Sequence, residues 1–166
     1  AVPGLVLAVA LMVPLTSVDK WLATLLRDNF DVRWGLLITG SSAALIFVYV
    51  ARFLTVAFNS TQAGLTQIHP QLDAAARSLG HEPGVVLRRV HLPLLRPAVI
   101  TGLLLVFIDV MKELPATLIL RPFNFETLAT WVYRFASDER LAQASTAALV
   151  IVLMSLIPTM VLSRLR

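Results

Sequence analysis

Apolar residues dominate four stretches of the chain, and polar residues gather between them. Residues 1–16 are apolar apart from Pro3, Gly4, Pro14 and Thr16. A spanning helix needs about 20 residues, so this run reads as the remaining part of a truncated transmembrane helix whose upstream partners belong to a longer protein. Residues 17–33 are mixed. Asp19, Lys20, Arg27, Asp28, Asp31 and Arg33 cancel in charge, while Trp21, Leu22, Leu25 and Leu26 recur at helical spacing. That pattern predicts a short interfacial helix. Residues 34–58 carry one charge, Arg52. As a helix they extend about 37 Å, enough to cross a bilayer with tilt. Arg52 lies two turns from the end and is expected to snorkel to the interface. Gly40, Ser41, Ser42, Ala43 and Ala44 would let another helix approach closely.

Residues 59–96 form a polar loop in which the spacing predicts two short helices. Leu72, Ala75, Ala76 and Leu79 fall at i, i+3, i+4 and i+7, one apolar face. Asp73 and Arg77 are spaced as an i, i+4 pair on the other side. Gly80 is placed to cap the first helix, and Pro83 to open the second. Leu92-Pro93 is expected to stop that second helix. A third span then begins at Pro97 and runs to 118, interrupted by Asp109, Lys112, Glu113 and Pro115. Residues 121–142 are mixed again, with Leu128, Trp131, Val132 and Phe135 on one helical face. A fourth span covers 144–162, with Pro158 as an expected kink, and Arg164 and Arg166 follow. The predicted fold is an all-α integral membrane protein of about four transmembrane helices, the first truncated, with a helix-turn-helix loop.

Composition agrees with embedding in a lipid bilayer. Of 166 residues, 57% are hydrophobic and 14% charged, and mean hydropathy is +0.79. A soluble domain carries about 25% charged residues. The net charge of +4 is distributed unevenly. Loop 59–96 holds Arg77, Arg88, Arg89 and Arg96 against Asp73 and Glu82, and the tail adds two arginines. The other two polar stretches balance. The positive-inside tendency therefore places loop 59–96 and the C-terminus in the cytoplasm. The arginines make no basic stripe interleaved with aromatics, so no nucleic-acid partner is expected. The chain has no cysteine, which excludes disulfides and thiolate metal sites.

Candidate chemistry is sparse. Asp109, Lys112 and Glu113 are charges in a predicted span, each costing on the order of 2.5–3.5 kcal/mol by insertion scales. Lys112 is spaced to neutralise Asp109, and Asp109 and Glu113 would share a face. They fit a self-compensating cluster at a helix seam, or the lining of a passage with Pro115 as a bend. His69, His81 and His91 are too far apart for a local metal site. No Gly-rich phosphate loop and no nucleophile–base arrangement occurs, and no cofactor is expected. The shallow face of the first loop helix suits a partner's groove, and equally the protein's own surface or the membrane.

The loop resembles the cytoplasmic signature of permease subunits of bacterial ABC importers. That signature is Glu-Ala-Ala, three residues, Gly, nine residues, an aliphatic residue, any residue, then Leu-Pro. It matches here at Ala75, Ala76, Gly80, Val90, Leu92 and Pro93. The family's glutamate falls on Ala74, with Asp73 one residue earlier. Residues 111–118, Met-Lys-Glu-Leu-Pro-Ala-Thr-Leu, and 121–130, Arg-Pro-Phe-Asn-Phe-Glu-Thr-Leu-Ala-Thr, are similar to the ferric-iron importer permeases. The resemblance implies the C-terminal part of an inner-membrane permease that is not itself an enzyme. It implies partners too: an ATP-binding cassette ATPase homodimer docked on the loop, a periplasmic substrate-binding protein, and the rest of the permease. Alternating access would move the substrate. The competing reading is a secondary transporter or channel that uses Asp109, Lys112 and Glu113 for ion coupling.

Overall fold

The computed structural model describes residues 3–30 and 37–164. The described residues form helices, turns and bends without strands. In chain order the helices are α1 (Gly4–Phe30), α2 (Ser42–Thr66), α3 (Pro70–Ser78), α4 (Pro83–Val86), α5 (Leu92–Met111), α6 (Pro115–Leu120), α7 (Leu128–Ser137) and α8 (Leu141–Arg164). A π-helical turn, Leu87–His91, joins α4 to α5 without a break. Four helical stretches are long and apolar enough to cross a membrane: Gly4–Asn29, Ser42–Thr66, Pro83–Met111 and Leu141–Arg164. Their outward residues are apolar, as with Val13, Leu54, Leu103 and Leu149, each more than 60% exposed. Such a surface suits lipid and would be costly in water. The protein is an all-α integral membrane protein.

Several boundaries differ from the sequence pattern, each for a local reason. α1 does not end at residue 16, and no separate interfacial helix follows. Thr16, Ser17, Thr24 and Asn29 return hydrogen bonds to the carbonyls of Met12, Val13, Lys20 and Leu25, so polar residues ride inside one helix. α2 likewise continues past Phe58, because Ser60 and Thr61 bond carbonyls instead of water. Asp31, Arg33 and Trp34, and also Arg166, lie outside the described residues.

The third span is the largest departure. Leu92-Pro93 does not stop the helix, and Pro97 lies inside α5. Pro93 cannot donate to a carbonyl one turn back, and its ring crowds that carbonyl. The preceding turn widens to a π-helix, with the Leu92 N–H reaching Leu87 O. One continuous helix therefore runs from Pro83 to Met111. It ends earlier than 118: Lys112 to Leu114 break the path, and Pro115 opens α6 at its first position.

The chain forms two compact units, Ala1–Arg52 with Asp109–Ser155, and Phe53–Ile108 with Leu156–Arg166. In the first, α1 packs on α6, and Ala8, Leu45, Val48, Ala116 and Leu120 form the core. Asp19 is fully buried there. Its carboxylate accepts from the backbone N–H groups of Leu37, Ile38 and Thr39 at 2.6–3.1 Å, ahead of the first turn of α2. In the second unit, small residues bring α2 against α5. A methyl group on Gly64 would overlap Ala98, one on Gly102 would sit 3.1 Å from Ser60 Cβ, and Ser60 Oγ donates to Ala98 O at 2.8 Å.

Asp19→Ala is expected to lower the detergent melting temperature, because three partly buried N–H groups lose their acceptor, a loss of up to about 1–3 kcal/mol for each that is fully desolvated. Asp19→Asn keeps an acceptor oxygen and should fall between the two. Equal melting of all three proteins, measured by differential scanning fluorimetry, would remove Asp19 as the anchor.

Candidate functional site

The loop that carries the predicted coupling residues is built by caps. Pro70 occupies the first position of α3, and His69 Nδ1 accepts from the Gln71 N–H at 3.3 Å. At the other end the chain reverses through Gly80, whose φ is +79°. His81 N–H reaches Ala76 O at 3.1 Å, and Gly80 N–H reaches Arg77 O at 2.9 Å. This pair of bonds is the Schellman arrangement, which needs a left-handed residue at Gly80. Glu82 and Pro83 then start α4. The angle between the two helical pieces is set by backbone hydrogen bonds.

Side chains of the loop divide sharply. Ala76 and Val86 are buried, whereas Ala74, Ala75, Leu72, Leu79, Arg77, Arg88 and Arg89 are exposed. Leu79 is 76% exposed. Val90 is half-buried; Leu92 and Pro93 are exposed. Asp73 does not pair with Arg77. Its carboxylate binds His91 Nε2 at 2.6 Å, tying α3 to the π-helical turn. Moving an acid one place along a helix turns it about 100° around the axis. Asp73 is thus directed inward, while the neighbouring Ala74 faces out.

Of the charges assigned to the predicted spans, one pair forms as expected, while Glu113 and Arg52 depart from the sequence expectation. Lys112 Nζ lies 3.0 Å from Asp109 Oδ1, the pair expected at i, i+3. Glu113 does not share a helical face with Asp109, because α5 ends before it. Its carboxylate instead receives Arg52 Nη1 at 2.9 Å, so Arg52 does not snorkel. Glu113 is 6% exposed. The Ala116 N–H lies 3.4 Å from Glu113 Oε1, and Thr117 Oγ1 donates to Glu113 O at 2.6 Å. Tyr49 OH, one turn before Arg52, bonds Thr117 Oγ1. Gly4 makes room: a methyl there would overlap the Arg52 guanidinium. Sequence reading missed this partnership because 61 residues separate Arg52 from Glu113. The available signal was one basic residue with no acid in its own span and one surplus acid in another.

The second motif stretch folds into a braced turn. Glu126 gathers Arg121, at 3.6 Å, and Arg134. Asn124 has a φ of +60°, and Phe123 is fully exposed. Thr127 and Thr130 cap α7 reciprocally. Among the described residues, no group of three or more His, Asp or Glu side chains is placed to hold a metal ion.

A family model described as the binding-protein-dependent transport system inner membrane component matches residues 1–166. The Fe(3+)-transport system permease protein FbpB 2 of Haemophilus influenzae is 32% identical over 164 residues, covering 99% of this chain and 29% of that protein. A Salmonella typhimurium protein provisionally named a 2-aminoethylphosphonate transport system permease, PhnV, is 28% identical, covering 89% of this chain and 61% of its own length. The ferric transport system permease protein FbpB of Actinobacillus pleuropneumoniae is 28% identical over 100 residues, covering 60% of this chain and 14% of that protein. The chain thus spans less than two thirds of the length of these relatives. No solved structure matches it.

Glu113→Gln should destabilise the protein, by up to about 3–5 kcal/mol, because it removes the Glu113 charge that Arg52 meets in a partly buried site. Removing both charges, with Arg52→Leu and Glu113→Leu, should cost less than the sum of the single changes. A double-mutant cycle in detergent checks this; additive losses would show that the two groups do not interact.

Proposed function

Because the chain belongs to the family of binding-protein-dependent transport system inner membrane components, we propose that it is part of the permease subunit of an ATP-driven importer. The observation that carries this reading is the capped loop. α3 and the Gly80 turn present Leu72, Ala75 and Leu79 outward, between apolar helices long enough to span. An exposed apolar face on a short, stiff helix suits the groove of a partner, and the partner proposed is a separate ATP-binding cassette ATPase homodimer. The exposed Arg77, Arg88, Arg89 and Arg96 favour a cytoplasmic position for the loop, and the C-terminus lies on the same side. ATP hydrolysis belongs to the ATPase. The permease contributes alternating access, and a periplasmic binding protein delivers substrate.

Ferric iron is the proposed substrate, supported by the relative named for Fe(3+) transport at 32% identity. A phosphonate is the second reading, supported by relatives named for 2-aminoethylphosphonate that this chain covers over 61% of their length. Asp109, Lys112 and Pro115, close to the helix break, are proposed to border the passage. Glu113 belongs to the same break, but its contacts favour holding it in place over contact with a travelling ion.

Radiolabelled ferric iron, supplied by the binding protein to vesicles holding the full-length permease and its ATPase, should accumulate in an ATP-dependent way. Accumulation of 2-aminoethylphosphonate instead would select the second reading; ATP-independent, ion-driven uptake would select a secondary transporter. Gly80→Leu forces a branched side chain into a left-handed backbone and should abolish ATPase co-purification while leaving membrane insertion intact. Normal co-purification with that variant would remove the loop as the docking element.

A further inference from the structure

We infer that the bond between Asp73 and His91 is the joint through which a displacement of α3 reaches α5, making these two side chains positioning residues for transport. The inference rests on the proposed docking of α3 to an ATPase. Its basis is mechanical and lies within one compact unit.

α3 has little else to hold it. Among its residues only Ala76 is buried, and its C-terminal end leaves through Gly80 with a φ of +79°, a tight reversal followed by exposed residues. It packs against α4, whose buried residue is Val86. Asp73 supplies the polar attachment, reaching across 18 positions to His91 at 2.6 Å. The His91 end of that bond is shielded, its side chain 17% exposed, while the Asp73 side chain is 36% exposed. Shielding strengthens the interaction relative to a bond in open water.

His91 stands at the end of the π-helical turn, immediately before α5 begins. α4, the π-helical turn and α5 are one continuous helix, so a force applied at His91 acts on the shaft of the third span. The ring has no competing polar attachment among the described residues, since its buried Nδ1 lacks a partner there. The widened turn itself lacks the regular i to i−4 bonds, and such turns sit often at functional sites. A sideways pull on His91 is therefore applied where the helix is least constrained. The surrounding cavity of about 360 Å³, bordered by Leu65, Arg77, Pro83 and Leu87, leaves space for the joint to shift.

The test uses the full-length permease reconstituted with its ATPase and binding protein. Uptake and ATP hydrolysis are measured in the same vesicles, offering radiolabelled ferric iron and 2-aminoethylphosphonate in parallel. Asp73→Ala and His91→Phe remove the bond and should lower substrate moved per ATP by about fivefold or more, the range of a coupling between sites, with the ATPase still bound. Asp73→Asn and His91→Gln keep a hydrogen bond and should recover most of the ratio. The double variant Asp73→Ala/His91→Phe should be no worse than either single change. The chain has no cysteine, so an Asp73→Cys/His91→Cys variant closed by a short bifunctional reagent should regain coupling over its unlinked form. Wild-type coupling in the single removal variants, or additive losses in the double, overturns the joint. Loss of the bound ATPase that crosslinking does not repair makes the bond a structural prop and overturns it too. A wild-type permease that holds no ATPase refutes the importer reading itself, and the joint with it.

Discussion

Inside a bilayer no water completes the hydrogen bonds of a polar group, so each one must be satisfied by the protein itself. Much of this structure follows from that constraint. Hydroxyl and amide side chains in the long helices bond back to carbonyls one turn earlier. Asp19 spends its carboxylate on three backbone N–H groups. Arg52 and Glu113 neutralise one another, and Thr117 and Tyr49 complete the cluster. Each solution lets a residue that looks like a loop former stand inside a helix, or lets a charge stand in a span.

The helix break at Lys112 to Leu114 is such a solution. Pro115 has no N–H to donate, so ending α5 before it sacrifices little. Freed from the helix, Glu113 can turn toward Arg52 and approach the first turn of α6 at the same time. The ion pair is then both the remedy for two charges and the support of an irregular backbone beside the end of the third apolar stretch. Irregular backbone there is tolerated where protein surrounds it, and the cluster with Gly4 provides that enclosure.

Loop 70–91 obeys the opposite rule, because it keeps its charges outward. Its backbone is self-sufficient through the Gly80 turn and the N-terminal prolines of α3 and α4. Side chains on its outer face are left without internal duties and are available to a partner. Asp73 is the exception: one position earlier than the family's acid, it points inward and fastens the short helix to the long one. The cap at Gly80 was readable from residue type and spacing alone. The partner of Asp73 was not, because the i+4 spacing pointed to Arg77, and only packing brings His91, 18 positions away, to the carboxylate.

What the sequence alone determined here is what local physics decides. Apolar runs announce membrane helices, glycine after a short amphipathic segment announces a cap, and the loop motif announces the family of binding-protein-dependent transport system inner membrane components. Lengths and pairings were decided by tertiary structure. Helix ends shifted because side-chain bonds and a π-helical turn absorbed polar residues and Pro93 that normally end helices. Arg52 found Glu113, and Asp19 found residues 37–39, because burial makes an unpartnered charge expensive and only the folded chain brings partners from distant positions together.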